Sequence, residues 1–186
     1  VRRIKPDGTI ISPIDFIPVY EKSGLISRLD RYIWEQAAAK LGEWKKAGIN
    51  MSISVNISPK DFYYIDIFNT FAGLIKKYDI EPSNLKIEIT ETTIMSDVPN
   101  LMGELEELRK AGFTLEMDDF GSGYSSLNTL KDINVDVLKV DMGFIKETKN
   151  VKKSRIILAS VIKMAKELNL LIITEGVATE AQVEYL

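Results

Sequence analysis

The sequence predicts an α/β protein in which parallel strands alternate with helices, as in a parallel β/α barrel. Short runs rich in β-branched residues recur along the chain, and segments with helical periodicity separate them. This alternation is typical of right-handed β-α-β crossovers and a parallel sheet. Four successive predicted strands also alternate polar with apolar residues, as expected if one sheet face packs against helices and the other lines a polar interior.

The elements follow from these patterns in chain order. Residues 1–15 indicate a hairpin-like lead-in, because Pro6-Asp7-Gly8 is a turn signal. Apolar residues at helical spacing predict helices over 29–46, 62–78, 99–110 and 154–168, a short helix near Leu127 and a last one capped by Thr179. Strands are predicted over 51–55, 85–89, 113–117, 136–140 and 170–173.

The two faces of the predicted strands distinguish between parallel architectures. A doubly wound sheet is buried on both faces and its strands are nearly continuous apolar runs, which these are not. A barrel with a charged interior fits, and a half-open sheet with one solvated face is the alternative. The polar face would carry Ser52, Ser54, Asn56, Lys86, Glu88, Glu116, Asp118, Lys139 and Asp141, and the helix-facing side Ile53, Ile87, Met117 and Leu138 among others.

Composition restricts the chemistry. The 186 residues include neither cysteine nor histidine, which excludes disulfides, thiolate metal sites and the usual general base. Acidic residues number 27 against 24 basic ones, with no basic stripe, so we expect no polymeric nucleic acid as a partner. No apolar run approaches the ~18 residues of a membrane span and no signal pattern opens the chain, so we expect no membrane contact from this segment.

Each of the five predicted strands ends in a residue that could bind metal or handle protons. In barrels of this kind the active site lies at these strand ends. Converging carboxylates without histidine or cysteine favour hard cations such as Mg²⁺ or Mn²⁺, and adjacent aspartates could flank two ions over an anionic phosphate ester. A loop with two glycines over residues 120–126 would then form a lid. The strand-end residues are Asn56, Glu88 and Glu91, Asp118 and Asp119, Lys139 and Asp141, and Glu175.

These residues resemble a known family, the EAL-domain phosphodiesterases that hydrolyse the bacterial second messenger cyclic di-GMP. The resemblance spans essentially the whole chain in the family's order, and the block over 118–126 is the most specific part. The matching stretches are Phe16-Ile17-Pro18, Val55-Asn56-Ile57-Ser58-Pro59, Glu88-Ile89-Thr90-Glu91, Asp118 to Ser126, Lys139-Val140-Asp141 and Glu175-Gly176-Val177.

The resemblance implies a TIM-like barrel of the EAL type and metal-dependent hydrolysis of cyclic di-GMP to linear pGpG with two Mg²⁺ or Mn²⁺ ions. The metal ligands would be Asn56, Glu88, Asp118, Asp119 and Glu175. Lys139 would orient or activate the attacking water, Glu91 would hold the loop after Asp119, and Arg2 would contact a substrate phosphate. Asp141 matches a site aspartate to which no definite role is given.

The resemblance also implies a cytoplasmic signalling domain attached to sensory or diguanylate cyclase domains, in a parent that could be membrane-anchored. A homodimer is left open. The alternative from another class is a receptor that binds cyclic di-GMP without cutting it. Receptor members typically lose metal ligands, whereas every ligand position visible in this chain is intact.

The sequence departs from the family pattern at both ends. The triplet Glu-Ala-Leu that names the family does not occur, and the register places it just before Val1. We therefore expect residues 1–186 to be a single domain without its first strand and last strand, and weak or inactive by itself. Ala178, Met142-Gly143 and Arg3 also differ from the common family residues.

Overall fold

A computed structural model of the chain describes residues 1–96, 98–121, 130–141 and 151–184. The chain begins with an antiparallel hairpin of two short strands, β1 (Arg3–Ile4) and β2 (Ile10–Ile11). The turn between them contains Asp7, whose carboxylate accepts a hydrogen bond from the Thr9 backbone nitrogen at 2.9 Å. The predicted hairpin at the start of the chain is therefore confirmed.

The centre of the fold is a parallel sheet of five strands that lie side by side in chain order. Because the order never reverses, the sheet lacks the switch point of a doubly wound fold and is instead an arc of a TIM-like β/α barrel. The predicted fold class is confirmed. The strands are β3 (Ile53–Asn56), β4 (Leu85–Thr90), β5 (Leu115–Asp118), β6 (Val137–Asp141) and β7 (Leu171–Glu175).

Helices connect the strands and cover one face of the sheet. Within the described residues, no helix combines the length and apolar character that crossing a membrane requires. The helices are α1 (Pro13–Ser23), α2 (Ile26–Lys46), α3 (Asp61–Tyr64), α4 (Ile67–Tyr78), α5 (Glu91–Ile94), α6 (Leu101–Lys110), α7 (Val151–Glu167) and α8 (Glu180–Val183).

The hydrophobic core lies between these helices and the sheet. Trp34 of α2 packs against Phe71 of α4 with ring centroids 4.9 Å apart, and Phe71 meets Phe113 edge-on at 5.7 Å. On the sheet, Ile87 and Met117 are fully buried. Burial of each such side chain stabilises the fold by about 1.5–3 kcal/mol, so the helix-covered face dominates the stability.

On β3, β4 and β5 the opposite face of the sheet is polar, as the alternation of these strands predicts. Every second residue of β4 is fully buried against the helices, and the residues between them are only half-buried. Lys86, Glu88 and Glu116 project from this second face. Lys86 forms an ion pair with Glu116, which also accepts a hydrogen bond from Ser54, and Glu88 forms an ion pair with Lys139. The predicted division of the two faces is therefore confirmed for β3, β4 and β5, whereas the register places Val137 of β6 and Leu171 and Ile173 of β7 on the same face as Lys139.

One expectation about the helices is wrong, and one helix is not predicted from the sequence. The single helix predicted over 62–78 is two helices, because Ile65 is extended and Asp66 starts α4 by accepting a hydrogen bond from the Asn69 backbone nitrogen at 3.0 Å. Helix α1 was not expected; its signals are Pro13 in the first turn and a left-handed Gly24 at the end. The predicted cap at Thr179 is confirmed by a capping box. The helix predicted near Leu127 lies outside the described residues.

Candidate active site

The end of β3 is fixed from two sides. The indole nitrogen of Trp34, in α2, donates a hydrogen bond to the backbone oxygen of Asn56 at 2.9 Å. The next residue, Ile57, donates its backbone nitrogen to the backbone oxygen of Glu88 at 3.0 Å. The side-chain nitrogen of Asn56 donates to Oε2 of Glu88, also at 3.0 Å. Packing of α2 and pairing with β4 thus determine where the Asn56 amide lies.

A single lysine lies at the centre of the strand ends. The Nζ atom of Lys139, on β6, is 2.9 Å from Oε1 of Glu88, 2.6 Å from Oε1 of Glu175 and 3.5 Å from Oδ1 of Asp118. Four neighbouring strands therefore contribute one charged group each to the same point. We call Asn56, Glu88, Asp118, Lys139 and Glu175 the strand-end cluster.

The charge state of Lys139 follows from these contacts. Burial by itself lowers the pKa of the ammonium group, but hydrogen bonds to Glu175 and Glu88 and the charges of Glu88 and Asp118 raise it above the ordinary lysine value. Lys139 therefore carries its proton at neutral pH. In this arrangement it can donate hydrogen bonds and supply positive charge, and it cannot accept a proton as a general base.

The aspartate that ends β5 and the one that follows it are held by an unusual backbone turn. Asp119 has a φ of 56°, in the left-handed region that residues other than glycine enter infrequently. Its backbone nitrogen donates to Oδ1 of Asp118 at 2.9 Å, and the nitrogen of Phe120 donates to the backbone oxygen of Lys139 at 3.2 Å. Buried Phe120 anchors the turn from below. The chain therefore turns sharply where both carboxylates reach the strand ends.

The carboxylates of this region carry more negative charge than Lys139 neutralises. Burial raises the pKa of Glu88, and the charges of Asp118 and Glu116 add to the increase although Lys139 opposes it. Burial also raises the pKa of Asp119, together with the charges of Asp118, Asp141 and Glu175. Both shifts indicate a site that favours an additional cation or proton.

A second polar layer lies one pleat below the strand-end cluster. Oε2 of Glu116 accepts a hydrogen bond from the Ser54 hydroxyl at 2.9 Å, and Oε1 lies 3.1 Å from Nζ of Lys86. We call Ser54, Lys86 and Glu116 the lower layer. Each residue of the lower layer lies two positions before a residue of the strand-end cluster on the same strand. The pairs are Ser54 and Asn56, Lys86 and Glu88, and Glu116 and Asp118.

The structure brings together most of the site residues that the sequence predicts, but not all of them. Glu91 is almost fully buried in α5, directly after β4, and the loop it is expected to hold lies outside the described residues beyond Gly121. Asp141 lies opposite Glu175 in the register of β6 and β7. Arg2 is exposed in the lead-in and donates to the backbone oxygen of Val1; among the described residues, no ion pair joins it to the strand-end cluster.

One pair of carboxyl groups was missed by the sequence reasoning. Asp61 is fully buried at the start of α3 and accepts a hydrogen bond from the Ser58 backbone nitrogen at 2.8 Å. Burial, with the charge of Asp61 and a hydrogen bond to it, raises the pKa of Asp30 to about 8. Burial also raises the pKa of Asp61. The pair of Asp30 and Asp61 therefore retains a proton at neutral pH. It lies next to the loop that follows Asn56.

Comparison with protein families identifies the relationship. The family described as the EAL domain matches residues 1–186 of the chain. The chain belongs to the EAL domain family. The structure agrees, because the EAL domain that was solved as the PaMucR phosphodiesterase in complex with c-di-GMP superimposes on all of this chain with a TM-score of 0.89 and 35% identity. This chain covers 75% of that one.

Curated relatives of this EAL domain are longer proteins. The bifunctional diguanylate cyclase/cyclic di-GMP phosphodiesterase MucR of Pseudomonas aeruginosa is 35% identical over 182 residues, which are 97% of this chain and 27% of MucR. The probable cyclic di-GMP phosphodiesterase PdeG of Escherichia coli is 36% identical over 189 residues, 98% of this chain and 36% of PdeG. The chain therefore spans between about a quarter and about a third of these relatives.

Proposed function

We propose that the full-length protein, through this EAL domain, hydrolyses one phosphodiester bond of cyclic di-GMP and releases linear pGpG, with Mg²⁺ or Mn²⁺ as cofactor. The observation that carries the proposal is the convergence of Glu88, Asp118 and Glu175 on Lys139 at the ends of four neighbouring strands. Relatives named as cyclic di-GMP phosphodiesterases, and a solved EAL domain in complex with c-di-GMP, support the choice of substrate.

The residues of the site suit a hard divalent cation. The donor set consists of carboxylates and one amide, which is the oxygen set that Mg²⁺ and Mn²⁺ prefer. The raised pKa values of Glu88 and Asp119 reflect burial and uncompensated negative charge, which a cation would relieve. The proposed metal ligands are Asn56, Glu88, Asp118, Asp119 and Glu175.

In their present positions the carboxylates are directed at Lys139. Among the described residues, no three acidic side chains are grouped so that they could hold a metal ion. Cation binding therefore requires Glu88, Asp118 and Glu175 to turn some of their oxygens away from the lysine. The half-exposed Glu175 has the most freedom to do so, because its side chain is 45% exposed whereas that of Glu88 is 13% exposed.

The chemical roles follow from charge and position. When bound, divalent ions at this site would supply an activated water and neutralise negative charge on the phosphate. Lys139 holds a proton and lies among the carboxylates, so it orients the water or donates to a phosphoryl oxygen as charge develops there. Asp119 and Glu91 are proposed to shape the turn and the loop that follow β5, and Asp141 and Arg2 remain proposed contacts of the site.

The hydrolysis consumes only water and cyclic di-GMP. The oxygen of water forms a bond to phosphorus, the P–O3′ bond of the same phosphate breaks, and the 3′ oxygen leaves with a proton. The ring of the cyclic dinucleotide opens, and the product keeps the phosphate on its 5′ end. Nothing in this sequence of bond changes needs histidine or cysteine, neither of which the chain contains.

The experiment that tests the proposal measures binding and turnover together. The full-length protein is incubated with cyclic di-GMP and excess Mn²⁺, and the linear product is quantified by chromatography. Binding is measured in parallel by calorimetry. Linear product that accumulates over many turnovers supports the enzyme. Binding without product would support the receptor alternative, and neither binding nor product would contradict both.

A further inference from the structure

We propose that Glu116 is a positioning residue, which holds the ammonium group of Lys86 in the lower layer and keeps it away from the strand-end cluster. The inference rests on the proposed function, because it assumes that the carboxylates of the cluster bind divalent cations. It concerns a pair of charges that the proposed reaction does not itself use.

Glu116 is built deeply into the sheet. Its side chain is only 1% exposed. Its Oε2 atom accepts a hydrogen bond from the Ser54 hydroxyl at 2.9 Å, whereas its Oε1 atom accepts no hydrogen bond and lies 3.1 Å from the Lys86 ammonium group as an ion pair. An ionised carboxylate this deeply buried is costly unless a positive charge and hydrogen bonds compensate it. The compensation fixes Lys86, whose own side chain is 26% exposed and has room to move.

Lys86 would have to cover only a short distance to reach the strand-end cluster if it were released. Lys86 and Glu88 are two residues apart on one face of β4, which separates their Cα atoms by about 6.6 Å. A lysine has a flexible four-carbon stem with a compact charge at its end. Without Glu116 as a partner, the ammonium group of Lys86 could therefore reach the carboxylate of Glu88.

A second ammonium group at Glu88 would oppose cation binding. Glu88 already accepts hydrogen bonds from Asn56 and Lys139. A further lysine on its carboxylate would compete with a divalent cation for the same oxygens and would repel that cation. By neutralising Lys86 one pleat below, Glu116 leaves the negative charge of the strand-end cluster available for the cation.

The test is a double-variant comparison of Mn²⁺ affinity, measured by calorimetry on the full-length protein in the absence of substrate. Glu116→Gln should weaken Mn²⁺ binding by about tenfold, since a lysine charge is released close to the cation. Lys86→Met alone should not weaken it. In Glu116→Gln with Lys86→Met, the affinity should return to within about twofold of the unmodified protein, because the released charge is gone.

Matched controls separate this role from a structural one. Glu35→Gln breaks a comparable pair with Lys77 on the outer surface and should leave Mn²⁺ affinity unchanged. Thermal unfolding of every variant reports folding. If Glu116→Gln does not fold, Glu116→Asp keeps the charge but shortens the side chain, and a smaller loss that Lys86→Met also reverses is expected.

The outcomes are distinct. Unchanged affinity in Glu116→Gln, or a loss that Lys86→Met does not restore, would overturn the inference and leave the proposed function intact. An unmodified protein that binds no Mn²⁺ would contradict the proposed function and the inference with it. If the pair of Glu116 and Lys86 were merely structural, both single variants would unfold at a lower temperature. The double variant would then not regain metal affinity.

Discussion

At the scale of single residues, the site depends on how charge is distributed around Lys139. Three carboxylates within 3.5 Å of one ammonium group keep that group protonated, so its contribution is positive charge and hydrogen bonds rather than proton abstraction. The lysine also makes the cluster stable without a metal ion, since it compensates carboxylates that would otherwise repel one another. Removing one of those carboxylates changes both the proposed metal site and the balance around the lysine.

Glu88→Gln and Asp118→Asn should each reduce turnover of cyclic di-GMP by at least about 100-fold, because each removes an anionic group that stabilises charge in the transition state. Both substitutions are close in shape to the original side chain, so the fold should be kept. Steady-state rates at saturating Mn²⁺ and thermal unfolding provide the measurements. Glu43→Gln, at an exposed position of α2 that pairs with Lys40, is the control. A rate equal to that of the unmodified protein would remove that residue from the catalytic site.

The residue-level contacts could be predicted only in part. The alternation of side chains along a strand, which has a period of two, and the predicted ends of the strands place five residues together at the carboxyl ends of the sheet. These residues are Asn56, Glu88, Asp118, Lys139 and Glu175. That Lys139 lies between three carboxylates depends on the length and direction of side chains from four strands. The buried pair of Asp30 and Asp61 has no local signal, because α2 and α3 bring the two residues together only through packing.

At the scale of secondary-structure elements, Asp30 and Asp61 connect α2 to the segment that follows β3. The raised pKa of Asp30 means that the folded state keeps a proton that the unfolded chain releases near pH 4. The folded protein therefore loses stability, relative to the unfolded chain, as pH rises from about 4 to about 8, and this contribution is constant above that range.

Asp30→Asn should remove this pH dependence, because an amide can keep the hydrogen bond to Asp61 without carrying a charge. The free energy of unfolding at pH 8 should rise by about 1 kcal/mol, because solvent screens the charge of this half-buried group. Urea unfolding between pH 4 and pH 9 measures it. Asp79→Asn, at an exposed position after α4, should follow the slope of the unmodified protein. A variant that is less stable at pH 8, or that keeps the original slope, would contradict the role of the pair.

The N-cap of α4, at the break between α3 and α4, should contribute measurably to stability. Asp66 accepts hydrogen bonds from the Asn69 backbone nitrogen at 3.0 Å and from its side-chain nitrogen at 2.8 Å. Asp66→Ala should lower the free energy of unfolding by about 1 kcal/mol, the usual effect of losing a helix N-cap. Urea unfolding is the measurement, and Asp66→Asn, which can still accept at the cap, should lose clearly less. Equal stability of the alanine variant and the unmodified protein would contradict the cap.

Apolar periodicity extends through both helices and could not reveal this break. The stripe of Ile67, Phe71 and Leu74 has the spacing of one continuous helix, and Phe62 before it fits the same pattern. Asp66 was the available signal, since an aspartate just before an apolar helical stripe is a common N-cap. Helix α1 was missed for a related reason, because its two prolines hide its periodicity.

At the scale of the whole molecule, the sheet explains why the site can exist. Five parallel strands in chain order direct all their carboxyl ends to one edge, and the helices bury the other face. The polar face is then organised in two layers, with a neutral pair in the lower layer and an excess of negative charge at the strand ends. The order of the strands was predictable from the alternation of helices and strands, whereas the charge balance between the layers required the structure.

The most direct test of this account is the rate at which the full-length protein forms linear pGpG as divalent cations are removed and restored. The account predicts that chelation with EDTA abolishes product formation and that added Mn²⁺ restores it, because the strand-end carboxylates require a cation to stabilise charge on the phosphate. Residual metal after chelation is checked by elemental analysis. An undiminished rate in protein shown to be free of metal would contradict the account, and so would the absence of product after Mn²⁺ is restored.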